Sequence, residues 1–343
     1  MKVRLSLLVL FLCAACRSSD PAHEVVSTRP SRSFGFVYHA AVEKVPADAQ
    51  RVRLWIPFPE DTSDQTIDDL RATVLVGNAS FEIPPESLES DGRGSFGGTE
   101  WTVSDIQNEL GRSLHIETEG KPIEVDLAFD VTRFETQGGG DMAAGSIEAA
   151  LEADTMIPLD GKVSAQAASL VTSEDPAETV RQLYEHTLER MRYDKPPGEP
   201  WGRGDAEWAC DSRFGNCTDF HSYFMGLARS KSIPARFVIG FSVPQGEESE
   251  LAISGYHCWA YAWIEDRGWT PLDISEADKH PEKSDYFFGT LDCDRVAFTS
   301  GRDLVPQPAP EQGPLNFWVY PYAEVDGKTW SSVAKSFKRM KVD

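Results

Sequence analysis

From Phe34 to Val131 the apolar residues recur at every second position, and this period limits the fold more tightly than any other feature of the chain. Phe34, Phe36, Tyr38 and Ala40 make one run, and Val52, Leu54, Ile56 and Phe58 a second. Leu114 and Ile116 belong to a third, and Ile123, Val125, Leu127, Phe129 and Val131 form a fourth. A period of two places every one of these side chains on the same face of an extended strand. Several strands with one apolar face each are covered most economically by a second sheet, so the pattern predicts a β-sandwich over residues 34–136. Residues 90–98, rich in glycine, read as a loop. Three consecutive glycines at 138–140 mark the boundary, with a linker over 137–160.

Past that boundary the period changes. Asp175-Pro176-Ala177-Glu178 offers a capping side chain, a first-turn proline and an acid in the first turn. Val180, Leu183, Tyr184, Leu188 and Met191 then follow at helical spacing. A second domain mixing helices and strands is expected over 161–325. Residues 193–205, with glycine and proline, read as a surface loop beside a cleft, and 245–249 as another. Residues 306–314 are proline-rich and irregular, a last strand is expected around 317–320, and 326–343 reads as a C-terminal tail. No internal repeat is present. A chain of 343 residues suits two such domains.

Three motifs inside the second domain carry chemistry. Gly215-Asn216-Cys217-Thr218-Asp219-Phe220-His221 opens a run with apolar residues at Phe220, Phe224, Leu227 and Ala228, one helical face. Cys217 therefore stands at a helix N-terminus, where the helix dipole favours a thiolate. In Gly255-Tyr256-His257-Cys258-Trp259 the pattern alternates. His257, Trp259, Tyr261 and Trp263 point one way, while Cys258, Ala260, Ala262 and Ile264 point the other, which is a strand with Cys258 read as packing. Asp266-Arg267-Gly268 is a tight turn, and Gly268-Trp269-Thr270-Pro271-Leu272-Asp273 returns as the second strand of a hairpin that can lay Asp273 beside His257. A thiol needs an imidazole to take its proton and a third group to orient that imidazole. The chain supplies one of each.

These residues resemble the transglutaminase-like superfamily, cysteine enzymes related to the papain-like proteases. The likeness runs through the three motifs, through Leu227-Ala228-Arg229 and Ile233-Pro234-Ala235-Arg236-Phe237, and less specifically through Arg295-Val296-Ala297-Phe298, Gly301-Arg302-Asp303 and Tyr320-Pro321-Tyr322. What it implies is an α+β fold with a transglutaminase-like (papain-like) core behind the N-terminal β-sandwich, and a Cys217, His257, Asp273 triad. The implied reaction attacks a peptide-like amide through a thioester, ending in hydrolysis if water is the acceptor and in acyl transfer if an amine is. The Cys217 backbone N–H is the natural first oxyanion donor, with the Trp208 indole as candidate for the second.

Other readings stand beside this one. The fold can persist as an inactive binding module with an unreactive Cys217. A zinc-binding protein would use Cys217, His221 and His257, although no paired short-spaced ligand motif supports it and no cofactor is expected. His221, one helical turn from Cys217, is a rival base or a hydrogen-bonded core histidine. Trp259, Trp263 and Trp269 line an acyl groove or pack the core.

The N-terminus speaks to location. Lys2 and Arg4 precede an apolar run at 5–12, and Ala14-Ala15-Cys16 follows as a small-residue cleavage site. This resembles a bacterial lipoprotein signal with Cys16 carrying lipid, followed by a flexible tether over 17–33. The run is too short to span a bilayer, which takes about 20 apolar residues. An exported protein, lipid-anchored and facing the periplasm or exterior, is therefore expected. Cys210, Cys217, Cys258 and Cys293 would then meet an oxidising space, with Cys210–Cys293 the expected disulfide and Cys210–Cys217 a bond that would silence the thiol. A net charge of −22 without a basic stripe excludes nucleic acid as a partner and leaves membrane contact to the lipid. The expected partner is a protein or peptide substrate, with the oligomeric state open.

Overall fold

The computed structural model describes residues 29–138, 146–170 and 173–342. The signal segment, Cys13, Cys16, most of the tether and part of the glycine boundary lie outside the described residues. Each alternating run forms a strand. β1 (Ser31–Val42) pairs antiparallel with β8 (Ile123–Phe134), Phe36 opposite Phe129, and β8 pairs with β3 (Gln65–Val76), which carries β4 (Ala79–Glu82) at its edge. The facing sheet runs through β2 (Val52–Phe58), β7 (Arg112–Thr118), β6 (Thr99–Asp105) and β5 (Gly92–Phe96), with the single-turn helix α1 (Pro85–Glu89) leading into β5. Residues 90–98 are thus a strand hairpin, not a loop. The glycine content has a steric reason there, since a Cβ on Gly94 would lie 2.4 Å from the Trp101 ring.

The end of the chain departs from expectation most. β20 (Val333–Met340), inside the expected tail, pairs along the free edge of β1 with Tyr38 opposite Phe337, and β13 (Glu250–Ala252) adds outside it. β18 (Tyr322–Val325) pairs with β2, and β19 (Lys328–Thr329) turns back on β18. Both sheets reach six strands in this way. Without β20, β1 would present a row of unpaired backbone groups. The strand expected at 317–320 begins at Tyr322, as β18, and two further strands follow it.

The second half is built on α5 (Cys217–Ser230), in which every residue from Cys217 to Arg229 is buried. Helices α2 (Lys162–Leu170), α3 (Pro176–Arg190) and α4 (Ala206–Ser212) surround it. As the sequence predicts, Asp175 caps α3 by accepting the Ala177 N–H at 2.9 Å. Beneath α5 lies an antiparallel sheet in the order β15 (Gly268–Leu272), β14 (Tyr256–Ile264), β12 (Ala235–Ser242), β17 (Arg295–Ser300), and β15 runs into α6 (Ile274–Lys279). Two short pairs tie distant segments: β9 (Thr136–Gln137) with β16 (Thr290–Leu291), and β10 (Arg192–Tyr193) with β11 (Phe214–Gly215).

The halves share one apolar core. The Phe36 ring lies 5.3 Å from Phe241 and 5.5 Å from Phe298, joining β1 to β12 and β17. Arg229 pins the expected linker, donating to the Asp154 carboxylate at 2.6 Å and to the Glu152 carbonyl at 2.7 Å.

Candidate active site

Two local devices hold Cys217 at the start of α5. Asn216 is the N-cap, its Oδ1 accepting the Thr218 N–H at 3.0 Å, and Asp219 Oδ2 reaches back to the Asn216 N–H at 3.0 Å. This is a capping box, two helix-end donors satisfied reciprocally. The Asp219 carboxylate also accepts the N–H of Gly202 at 2.7 Å and of Gly204 at 3.0 Å, so the 193–205 loop is anchored to the helix start. Both glycines have positive φ, and a Cβ on Gly204 would lie 2.8 Å from Ser222 Oγ. Burial pushes the Asp219 carboxyl up to about 6 against the pull of these three N–H groups.

β14 and β15 place the other two residues. The hairpin register sets Ala260 opposite Leu272, and one residue on, Asp273 leaves the strand as the N-cap of α6. There His257 Nε2 meets Asp273 Oδ2 at 2.7 Å, which leaves Nδ1 as the ring nitrogen for the thiol. His257 and Cys258 are the side chains that act on the Cys217 thiol. Asp273 is completely enclosed, while Cys217 and His257 keep only 2% and 4% of their surface. Its other oxygen, Oδ1, accepts from Ser275 Oγ at 3.2 Å and from the Glu276 N–H at 3.1 Å.

Electrostatics polarise this trio. Burial alone would raise the Cys217 thiol, but hydrogen bonds from Cys258 and His257 and the imidazolium charge hold it well below the ordinary thiol value. Burial alone would lower His257, yet the Asp273 carboxylate and the adjoining sulfur lift it to about 10. His257, with Arg295, keeps Asp273 ionised against its own burial. Thiolate and imidazolium are therefore the favoured pair across neutral pH.

Residues 164–274, which include all three groups, match the family described as the transglutaminase-like superfamily. The chain contains a transglutaminase-like domain. A Haemophilus influenzae protein of uncharacterized function is 26% identical over 86% of both chains. Among solved structures, a candidate cysteine protease from Cytophaga hutchinsonii shares the fold at a TM-score of 0.54, with 15% identity over 92% of this chain and 94% of its own. The periplasmic domain of TgpA from Pseudomonas aeruginosa aligns at a TM-score of 0.35, with 20% identity over 63% of this chain and 92% of its own.

The transglutaminase-like core also shows what the motifs left unassigned. Arg295 donates from Nη1 to Asp273 Oδ2 at 2.9 Å, grips Asp292 with its other nitrogens, and lies 5.0 Å from the centre of the Trp259 ring. Arg302, in the least specific part of the resemblance, donates to Ser222 Oγ at 2.6 Å and to the Gly204 carbonyl at 3.0 Å. It braces α5 against the loop. The Asn216-x-x-Asp219 spacing is a signal from which the capping pair could have been found, but the roles of the arginines become visible only in three dimensions.

Several expectations fall differently. The four described cysteines are free, so Cys210 and Cys293 form no disulfide. Cys210 is buried on α4 within 3.8 Å of Arg190, whereas Cys293 lies half-buried in the turn before β17. The bond between Cys210 and Cys217 is absent too. Trp208 sits on α4 with its ring edge-on to Phe214 at 5.4 Å. Trp259 and Trp269 are buried in a second apolar cluster, while Trp263 lines a surface cleft with Glu174 and Lys231. Both His221 nitrogens are engaged, Nε2 by the Ile274 N–H at 3.1 Å and Nδ1 by Cys258 Sγ at 3.5 Å, which leaves no lone pair for zinc. Among the described residues, no helix is long and apolar enough to cross a membrane.

Proposed function

We propose that this chain is an exported thiol enzyme that cleaves or transfers the acyl group of peptide-like amides through a thioester on Cys217. The observation that carries the proposal is the 2.7 Å bond from His257 to the enclosed Asp273, with Cys217 on the ring's other side. In this reading the Cys217 thiolate attacks the carbonyl carbon, and the Cys217 backbone N–H, which has no acceptor within the helix, faces the developing oxyanion. His257 gives its proton to the leaving amine as the C–N bond breaks, and the thioester remains. Water or an amine then loses a proton to His257 and attacks the thioester. The thiolate and imidazolium are regenerated.

Export rests on the basic, apolar and small-residue segments before Cys16, and lipid on Cys16 would tether the enzyme. An activated ester tests the chemistry without a known substrate. Mixed with p-nitrophenyl acetate, the protein should release nitrophenolate in a burst equal to the enzyme concentration, with acetyl found on Cys217 by mass spectrometry. His257→Ala should slow this on the order of 100-fold or more. Absence of Cys217 acylation would leave the inactive binding module as the reading.

A further inference from the structure

Asn216 stands immediately before Cys217 and Tyr256 immediately before His257, and these two neighbours bond to each other. Asn216 Nδ2 donates to the Tyr256 hydroxyl at 2.8 Å, closing a span of 40 residues. The amide has one orientation, because its Oδ1 accepts the Thr218 N–H at 3.0 Å and that group can only donate. The donor end is therefore committed to Tyr256.

Each partner is held from behind. Asn216 is the N-cap of α5, and the Asp219 carboxylate fixes its backbone N–H. Tyr256 opens β14 opposite Phe241, and its own backbone N–H donates to the Tyr320 hydroxyl at 3.2 Å. Its ring lies 5.9 Å from Phe317 and 5.5 Å from Tyr320. The 193–205 loop meets the same junction at Gly202, where a Cβ would lie 3.2 Å from Asn216 Nδ2. The Tyr256 hydroxyl donates to the Gly202 carbonyl at 3.4 Å, long for a hydroxyl bond, so the contact with Asn216 is the stronger arm.

We propose that Tyr256 is a positioning residue whose hydroxyl, by holding the Asn216 amide, sets the spacing between the Cys217 thiol and the His257 ring. The proposal rests on Cys217 being the nucleophile and His257 its base. Apolar contacts beneath α5 hold the helix against the sheet without direction, whereas a hydrogen bond fixes both distance and angle. This one lies a single residue from each reacting group. A displacement of about 1 Å at such a group costs on the order of 100-fold in rate.

Tyr256→Phe removes the acceptor and keeps the ring. Burial pushes the Tyr256 hydroxyl well above the ordinary tyrosine range, so it is neutral and the substitution removes no charge. The groups whose charge acts on Cys217 stay in place: His257 from β14, His221 and Asp219 from α5, and Lys279 from α6. The neutral hydroxyls of Tyr193 and Tyr320 stay as well.

The test is the acylation burst with p-nitrophenyl acetate on the full folded chain, in which the amplitude counts competent Cys217 and the rate constant reports its geometry. Tyr256→Phe should keep an amplitude equal to the enzyme concentration and lower the rate constant about 10- to 100-fold. The pH midpoint of Cys217 alkylation by iodoacetamide should move up toward about 8.5 as the imidazolium recedes. Asn216→Ser keeps a capping oxygen but loses the donor, so it should slow acylation similarly, and the double variant should be no slower than the slower single one. A rate constant equal to the wild type's, an unmoved midpoint, or single effects that multiply in the double variant would each overturn the proposal. A lowered amplitude with an unchanged rate constant overturns it too, since lost folding alone gives that result. If Tyr256→Phe does not fold, Asn216→Ser decides: a fall of about tenfold or more supports the bridge, and a wild-type rate constant overturns it. A wild-type enzyme that is not acylated on Cys217 removes both this proposal and the reading beneath it.

Discussion

Asp273 Oδ2 accepts from His257 Nε2 at 2.7 Å and from Arg295 Nη1 at 2.9 Å, so one carboxylate oxygen is shared between the imidazole and a buried guanidinium. The arginine fixes the acid from behind while the acid fixes the ring. Arg295→Met leaves Asp292 without its cation and Asp273 with the His257 ring alone. Loss of one member of a buried ion pair costs roughly 3–5 kcal/mol, and the lower end is expected because Ser275 and the Glu276 N–H still hold Oδ1. Urea denaturation gives the stability, and acylation kinetics should show a loss of about 10- to 100-fold as the ring loses its aim.

Asp273→Asn isolates the electrical part of that arrangement. The amide keeps the shape but cannot stabilise an imidazolium, so acylation should fall on the order of 10⁴-fold. A fall below tenfold would show that His257 works without its carboxylate.

The Cys217 and His257 pair gives stability a plateau in pH. The native pair carries one proton, on His257, across neutral pH. The unfolded chain also carries one between about 6.5 and 8.5, now on the cysteine. Equal proton counts mean no slope. Above about 8.5 the unfolded cysteine ionises while His257 holds its proton to about 10, so stability falls as pH rises. Below about 6.5 the unfolded histidine gains a proton that the native thiolate does not, so stability falls as pH drops. Melting temperature relative to the Cys217→Ala, His257→Ala double variant should be flat between these limits and decline on both sides.

Asp219 joins the 193–205 loop to the helix start through three backbone N–H groups. Asp219→Ala leaves them buried without acceptors, at about 1–3 kcal/mol each. Hydrogen exchange at Gly202 and Gly204 should accelerate by more than tenfold, and proteolysis should shift to this loop. Unchanged exchange would mean that Arg302 alone holds the loop.

Phe337 tests whether the two halves fold together. It lies 4.7 Å from Tyr38 and 4.5 Å from Phe241, one residue from each half. Phe337→Ala should cost about 3–5 kcal/mol and shift a single urea transition. Two separated transitions would show independent domains.

Where the sequence was legible, the signal was local. Period-two runs announce β1, β2 and β8, the Asp175 cap announces α3, and the Asp266-Arg267-Gly268 turn is enough to bring Asp273 to His257. β20 was hidden because Val333–Met340 carries three lysine or arginine residues and buries only Phe337 and Arg339, so no apolar alternation marks it. Its place is set by the open edge of β1, some three hundred residues earlier in the chain. Cys258 shows the limit within a motif. Alternation gave its face correctly, but only packing reveals that this face meets His221 and Cys217 beneath α5.

The central claim, that Cys217 is held as a thiolate by His257, is read most directly from the pH dependence of Cys217 alkylation in the wild type and in His257→Ala. The wild-type midpoint should lie well below the ordinary thiol value of about 8.5 and move up to that value or beyond in the variant. A wild-type midpoint near 8.5, unmoved by His257→Ala, would contradict it.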